Sequence, residues 1–464
     1  MLTGVRTTGI YCRSSCAGRP LARNTSQFTS AVAAEAAGFR PCLRCRPDCL
    51  PPFVDGDGTG IVGSALSLIS EGALDHASED AIAQRLGVTA RHLRRLFNER
   101  VGATPALVAR SRRAHFARCL LDETDLRVAD IAYAAGFSTV RQMNRVVSSV
   151  FAFTPTELRE KRRNVDRPVA DGGLPLRIAY AGALGFDDLL SYRTPRAIPG
   201  VESVERGVYR RSITTCGHPG VIEVSDTGDG KHLLVTAHLP TLQALIDDVA
   251  RCRRVFGLDR APAGETPLVD DPLLRAIILR RPGLRVPGAW DAFETSVRIM
   301  LGQQVSVAGA TTLVGRLVEY LGTPIPGLAA MGLTHVFPSA AAIADASLDR
   351  LRRIGLPSAR AQAIRAFARA YAGDKLRLDA CSGLDDLIAS LTELPGIGPW
   401  TAHMIAMHAA GQPDAFPAGD LGLRRATARV TGRAAPLDER EVDAIGEAWR
   451  PYRALASMHL WMSS

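Results

Sequence analysis

The chain has 464 residues, a formal charge of +9 and a pI near 9.3, which is too long for one domain, suits three or four, and points to a polyanionic partner. With 46% apolar residues and a mean hydropathy near zero it can build ordinary cores; no apolar run reaches membrane-spanning length and no signal peptide is present, so a cytoplasmic protein without a membrane partner is expected. Of the 56 basic residues 53 are arginine, a bias that a GC-rich genome alone would produce, so arginine is not read as chosen for phosphate geometry.

Five of the nine cysteines fall in the first 49 residues: Cys12, Cys16, Cys42, Cys45 and Cys49. In a cytoplasmic chain, C-x3-C followed by C-x2-C reads as a tetrahedral thiolate zinc site rather than as disulfides. The ligands are then Cys12, Cys16, Cys42 and Cys45, with Cys49 spare. Cys119, Cys216, Cys252 and Cys381 stand among apolar neighbours and read as small buried hydrophobes. The words RTTGIYCRSSC and AAGFRPCLRCRPD resemble the N-terminal domain of the Ada regulators of the alkylation response. The resemblance implies a zinc domain over residues 1–50, whose Cys12 takes a methyl group irreversibly from a DNA methyl phosphotriester while the other three cysteines remain ligands. The chemistry is consistent with that role. Four thiolates around a dication leave a net charge of about −2, so one sulfur stays nucleophilic. Methylation removes a negative charge, and affinity for DNA rises. The family usually carries a further segment before RTTGIYC, and here only Met1 to Val5 precede Arg6. Either the start lies upstream or the domain lacks elements that shield its zinc. A purely structural zinc is the alternative.

Pro51 to Gly63 reads as a linker. Beyond it, a short helix from Asp80 to Leu86, a turn at Gly87 and a helix from Thr89 carrying Arg91, His92, Arg94 and Arg95 form a helix-turn-helix. The unit repeats: Val128 to Ala135, the turn Gly136-Phe137-Ser138, and a helix with Arg141, Gln142, Asn144 and Arg145. RLFNERVGATP returns as RVVSSVFAFTP, the copies being joined by a helix from Pro105 to Leu121. This duplication resembles the AraC family of transcription regulators, over residues 64–163. It implies that both second helices enter successive major grooves of an operator, with Arg91, Arg94, Arg95, Arg141, Gln142, Asn144 and Arg145 as DNA contacts and RNA polymerase as a partner. The competing reading is that these are the residues of a wet helix face.

Lys161 to Gly173 reads as a second linker. Val221 to Val224 and His232 to Val235 read as strands around the turn Asp229-Gly230. From Asp270 onward the periodicity is helical, with segments at Ala289 to Leu301, Val307 to Leu321, Leu348 to Leu351, Ser358 to Tyr371, Leu384 to Leu391, Thr401 to Ala410 and Leu421 to Val430. Within LPGIGPWTAHMIAMHAAGQPDAFPAGDLGLRR, Gly396 and Gly398 lead into a helix N-terminus that can grip a phosphate, and Asp420 sits at the mouth of the next helix. A lone turn of this kind is common, and an Asp before a helix is ordinarily a cap. The whole stretch, however, resembles the helix-hairpin-helix DNA glycosylases. AWDAFETSVRIMLGQQVSV and ASMHLWMSS extend the resemblance to the 3-methyladenine glycosylases of the AlkA type, with an antiparallel domain at 174–286 and the helix-hairpin-helix domain at 287–464.

That resemblance implies that Asp420 is the catalytic aspartate, that Trp400, Trp461 and Tyr192 line a base pocket, that Gly396 and Gly398 grip double-stranded DNA, and that a monovalent cation sits at the hairpin. Relatives that also cut the backbone carry a lysine where this chain has Trp400, so the reaction should stop at an abasic site. No iron–sulfur cysteine cluster follows, and no Pro-Cys-His-Arg word for repair of methylated guanine oxygen is present. Gln304 stands where a leucine wedge is expected, and Met404 replaces an aromatic. The expected fold is multidomain and mainly α: a small zinc-bound α/β domain, an all-α double helix-turn-helix domain, an α+β antiparallel domain and an all-α helix-hairpin-helix domain. The expected function joins methyl-phosphotriester sensing and transcription activation to monofunctional excision of alkylated bases. The alternative is a regulator whose glycosylase domain is catalytically silent and only binds DNA.

Overall fold

The computed structural model describes residues 1–18, 20–47, 60–161, 172–378 and 383–463. Cys49, Cys381 and most of the two expected linkers lie outside the described residues. The chain forms two compact units, one of residues 1–181 and 232–250, the other of residues 182–231 and 251–464.

The first unit opens with a four-stranded sheet in the order β3-β1-β2-β4, from β1 (Leu2–Val5), β2 (Ile10–Arg13), β3 (Thr25–Phe28) and β4 (Arg40–Pro41). β2 and β4 run parallel with Tyr11 opposite Pro41, and the Cys42 N–H donates to the Tyr11 carbonyl at 3.0 Å. The next residues along, Cys12 and Cys42, are thereby brought abreast. Because side chains alternate along a strand, the fully buried Tyr11 and the half-buried Cys12 take opposite faces. Ser30 caps α1 (Ala31–Ala36) by accepting from the Ala33 N–H, and its hydroxyl also donates to the Val101 carbonyl.

Helices α2 (Gly60–Ser70), α3 (Ala73–His76), α4 (Glu79–Arg85), α5 (Ala90–Arg100), α6 (Pro105–Glu123), α7 (Val128–Ala134), α8 (Val140–Phe151) and α9 (Pro155–Glu160) follow. The duplication is repeated in the caps. Thr89 and Thr139 cap α5 and α8, Thr104-Pro105 and Thr154-Pro155 start α6 and α9, and Gly87 and Gly136 turn with φ of +69° and +77°. The expected linker at 51–63 is corrected at its end. Gly60 to Gly63 are helical, because Val62, Ala65, Leu68 and Ile69 form an apolar stripe that is buried. The N-terminal sheet and α1 are tied to α6 through Glu35, which accepts from the Tyr11 hydroxyl at 2.8 Å and bonds His115 Nε2 at 2.6 Å; Arg46 pairs with Asp122 at 2.5 Å. β5 (Leu174–Ala179) and β9 (His232–His238) pair antiparallel, and Arg177 joins Glu123 of α6.

In the second unit β6 (Glu202–Glu205), β7 (Val208–Thr215) and β8 (His218–Asp226) form an antiparallel meander. Thr215 opposite His218 leaves a two-residue turn, Cys216-Gly217, with φ of +48° and +81°, the sign pattern of a type I′ hairpin. Cys216 is therefore exposed, correcting its reading as a buried hydrophobe: turn geometry outweighs the apolar sequence around it. Cys252 is buried as expected. The span expected as an antiparallel domain, 174–286, also contains α10 (Phe186–Arg193) and α11 (Leu245–Val255), the latter beginning in the first unit and ending in the second.

The remainder is helical: α12 (Arg275–Arg280), α13 (Ala292–Leu301), α14 (Val307–Leu321), α15 (Ala340–Asp345), α16 (Leu348–Arg353), α17 (Ser358–Ala372), α18 (Leu384–Thr392), α19 (Pro399–His408), α20 (Leu421–Val430), α21 (Glu439–Gly446) and α22 (Arg453–Met462). One core joins Phe293, Val297, Leu317, Phe367 and Ile405; a second joins Ile278, Leu423, Trp449 and Leu460. Trp461 packs against both, so the seam between them is where α19, α20 and α22 present their side chains. Among the described residues no helix is long and apolar enough to cross a membrane.

Candidate active site and metal centre

Asp420 is the N-cap of α20, and its Oδ1 accepts from the Leu423 N–H at 2.9 Å. The same carboxylate also accepts from two indoles, Trp461 Nε1 at 2.9 Å and Trp400 Nε1 at 3.2 Å. The capping reading and the functional reading hold together, because one oxygen turns back to the helix while both meet the tryptophans. Hydrogen bonds to a charged group are worth about 1.5–3 kcal/mol each, so the anion is fixed in place rather than free to rotate. Gly422 permits this closeness. A Cβ there would lie 3.0 Å from Asp420 Oδ1 and 3.4 Å from Trp461 Cδ1.

Trp400, Met404 and His408 follow at i, i+4 and i+8 down one face of α19, passing from half-buried to buried. His408 lies near-parallel to two rings, Tyr192 at 6.3 Å and Trp461 at 6.4 Å between centroids. Tyr192, Trp400, Trp461 and Asp420 are thus brought to one site. Sequence reasoning missed His408; the only signal was its spacing from Trp400. The Arg196 guanidinium covers one face of Tyr192 at 4.0 Å, leaving Trp461 as the larger stacking surface.

At the hairpin, Gly396 has φ +78°, and a Cβ there would meet the Ala363 Cβ at 2.7 Å. Gly398 caps α19 in extended backbone and faces open space. The two glycines therefore differ in role: the first makes the turn, the second leaves the helix N-terminus bare. Gln303, also missed, donates to the Gly396 carbonyl at 2.9 Å and to Thr401 Oγ1 at 2.8 Å. It locks the α13–α14 loop onto the hairpin. Next to it Gln304 is exposed with φ +55°, a left-handed conformation unusual for a side-chain-bearing residue.

The sulfurs of Cys12, Cys16, Cys42 and Cys45 lie within 4.8 Å of one another. Burial and the neighbouring sulfurs, Cys42 first, push the Cys12 thiol up, and burial takes Cys45 up to about 11. Burial also opposes ionisation of Cys42, but the Cys45 and Arg44 N–H groups outweigh it and bring that thiol down. The Arg13 N–H points at Cys45 Sγ at 3.4 Å. Four close sulfurs with backbone donors form a donor set that fits one tetrahedral Zn2+, which would relieve their mutual repulsion.

On the helix-turn-helix pair, Arg91, Arg94 and Arg95 are exposed on α5, and Arg141, Asn144 and Arg145 on α8. Arg94 is tied to Glu79 at 2.9 Å and Arg95 to Glu99 at 3.0 Å. Gln142 accepts from the Ser138 N–H at 3.1 Å.

Four family models match in chain order: the metal binding domain of Ada over residues 1–48, a helix-turn-helix domain over 82–161, the AlkA N-terminal domain over 175–291, and the HhH-GPD superfamily of base excision DNA repair proteins over 297–451. Together they define a protein that joins an Ada-type regulator to a base-excision glycosylase fold. A Mycobacterium tuberculosis protein described as a probable bifunctional transcriptional activator/DNA repair enzyme AlkA is 38% identical over 99% of this chain and 92% of its own length. The chain belongs to this bifunctional family. The Escherichia coli DNA-3-methyladenine glycosylase 2 is 30% identical over 59% of this chain and 92% of its own. The E. coli bifunctional transcriptional activator/DNA repair enzyme Ada is 31% identical over 35% of this chain and 44% of its own. The solved 3-methyladenine DNA-glycosylase of Archaeoglobus fulgidus shares the fold, with a TM-score of 0.55, 24% identity, and coverage of 62% of this chain and 97% of that one.

Proposed function

We propose that this protein senses methylated DNA phosphates through Cys12, activates transcription through its paired helix-turn-helix units, and releases alkylated bases of the 3-methyladenine type from double-stranded DNA by hydrolysis at Asp420. The observation that carries the enzymatic part is the Asp420 carboxylate held between two indole N–H groups. An alkylated purine extruded from the duplex already carries positive charge, so its bond to the sugar is weak. Trp461 and Trp400 offer electron-rich faces that favour such a cation by about 0.5–2 kcal/mol. As the C1′–N bond breaks, Asp420 stabilises the positive charge that develops on the sugar. Water adds to C1′, its proton is lost, the base leaves neutral, and an abasic site remains. Trp400 stands where relatives that also cut the backbone carry a lysine, so no amine at that position carries the reaction on to strand cleavage.

The hairpin at Gly396 and Gly398 would hold the strand by phosphate contacts to the α19 N-terminus. Gln304, standing out from its strained position, would enter the gap left by the base. A monovalent cation at the hairpin is the finer form of this grip. In the first unit, Cys12, Cys16, Cys42 and Cys45 would hold a zinc ion, whose charge would keep Cys12 a thiolate. The Cys12 sulfur then attacks the methyl carbon of a phosphotriester, forming S–CH3 as the C–O bond breaks and a phosphodiester anion leaves. The lost negative charge raises affinity for the operator, read by Arg91, Arg94, Arg95, Arg141, Gln142, Asn144 and Arg145. RNA polymerase as partner and the cytoplasm as location follow from the activator role. Incubating the purified chain with methylated duplex DNA tests both halves: free alkylated bases, uncut abasic strands and a methyl group on the Cys12 peptide are expected. Intact bases throughout would leave only the regulator.

A further inference from the structure

His408 carries a nitrogen that the fold leaves without work. Its Nδ1 lies 3.0 Å from the Pro287 carbonyl. A carbonyl oxygen only accepts, so Nδ1 bears the hydrogen, and in a neutral imidazole Nε2 is then a bare lone pair. The residue is 92% buried on its 8% exposure, and Nε2 has no hydrogen-bond partner among the described residues. Buried polar atoms are ordinarily paired, so an orphan calls for a physical reason. Its neutrality is secured by surroundings: burial, set against the Pro287 bond and joined by the charges of Arg196, Arg193 and Arg298, takes the imidazole down to about 4.

The position supplies the reason. His408 closes the buried end of the α19 face that begins at Trp400, in a plane near-parallel to Trp461 and Tyr192. Asp420 marks the other end, where the sugar must lie. The ring's second nitrogen faces nearly the opposite way from Nδ1, away from Pro287. A purine whose sugar-bearing nitrogen is near Asp420 brings its opposite edge, with the position-6 substituent, toward His408. An adenine-type base offers an amino group there, and a guanine-type base offers a carbonyl oxygen. A lone pair attracts the first and repels the second.

We propose that His408 Nε2 is the acceptor that reads the exocyclic amino group of an extruded alkyladenine, setting preference for alkyladenine over alkylguanine. The inference rests on the base-pocket reading above and deepens it. An unpaired acceptor facing the wrong group is how a pocket gains discrimination that shape alone does not give.

The test uses the full chain and methylated duplex DNA containing both 3-methyladenine and 7-methylguanine, with released bases followed under single-turnover conditions. His408→Phe keeps a flat ring and removes the acceptor. The ratio of adenine to guanine release is expected to fall about tenfold, the loss of one hydrogen bond. His408→Gln, which restores an accepting oxygen, is expected to recover part of that ratio. If both bases slow alike in His408→Phe and in His408→Gln, the ratio unchanged, His408 is only filling the core and the inference is overturned. Should His408→Phe melt before the assay, His408→Leu, which also lacks an accepting nitrogen, takes its place: a fallen ratio of adenine to guanine release supports the acceptor role and an unchanged ratio overturns it. Failure of the unmutated chain to release any base would instead remove the underlying pocket reading.

Discussion

Trp461 donates its indole N–H to Asp420 Oδ1 at 2.9 Å while Trp400 donates to Oδ2 at 3.2 Å, so the two indoles proposed to wall the base pocket also aim the carboxylate. Asp420→Asn separates the two duties. An amide oxygen can still accept from the Leu423 N–H and keep the cap, but the NH2 group that replaces the second oxygen faces an indole donor and carries no charge. Base release is expected to drop by at least about a hundredfold, with DNA affinity and melting temperature close to the parent. Single-turnover release alongside a binding titration checks this. Equal loss of binding and release would mean that Asp420 serves the fold rather than the reaction.

The two hairpin glycines give opposite signatures. Gly396→Ala puts a side chain at φ +78° and a Cβ against Ala363, so a stability loss of about 1–3 kcal/mol is expected, with DNA binding falling as the hairpin shifts. Gly398→Ala meets open space and non-strained backbone. Its melting temperature should hardly move, while affinity for DNA should drop because the new methyl stands where the proposed strand grip brings a phosphate. Thermal melts and binding isotherms of the pair distinguish turn-making from strand contact.

The hairpin, Asp420 and the tryptophans were legible because each is a short word whose chemistry is local, and α14, α17 and α20 because their apolar periodicity runs for several turns. α10 and α11 were not, since each is a short helix set among strands and its pattern competes with the β texture around it. α2 was hidden by the Pro- and Gly-rich run that precedes it. Cys216 looked buried because neighbours in sequence are apolar, whereas the hairpin turn decides its exposure. Gln303 and His408 escaped for another reason: their partners, Gly396, Thr401 and Pro287, are between 93 and 121 residues away, and no local pattern encodes such a contact.

Acid should loosen the second unit in a defined window. His408 and His459 are both taken down to about 4, chiefly by burial, whereas in the unfolded chain each titrates near 6.5. The unfolded state then binds protons more readily. The associated stability is complete above pH 6.5 and is lost as pH falls from there toward 4, each unit of difference being worth about 1.4 kcal/mol. Melting temperature measured from pH 7 to pH 4 should fall through this range. The parent should fall more steeply than His408→Phe, which retains only the shares of His459 and of His403, whose imidazole burial also takes down. Glu202, held down to about 2 by Arg298 and Arg211 against its burial, adds a further loss only below pH 4.5, so the histidine contribution is readable on its own. A flat profile above pH 4.5 would show that neither imidazole is held neutral by the fold.

Removing the metal should act on one end of the molecule only. Without a cation, burial and the neighbouring sulfurs favour the thiol over the thiolate at Cys12 and Cys45, and the sheet around them has few buried side chains to hold it: Tyr11, Val32, Ala33, Ala34 and Cys42 are its apolar interior. A core that small relies on the metal for its folding energy. About one zinc per chain is therefore expected by metal analysis, and a strong chelator should expose residues 1–47 to hydrogen exchange and protease. Methyl transfer to Cys12 should disappear with the metal, because a protonated sulfur is a poor nucleophile. The residues proposed to release the base, Asp420, Trp400 and Trp461, are all in the second unit, and base release should continue at its original rate. Cys45→Ser should reproduce the chelated protein without any chelator present. If the chain holds well below one zinc, or if chelation leaves residues 1–47 as protected as before, the four sulfurs are a packed cluster and the sensing role loses its basis, while the glycosylase is unaffected.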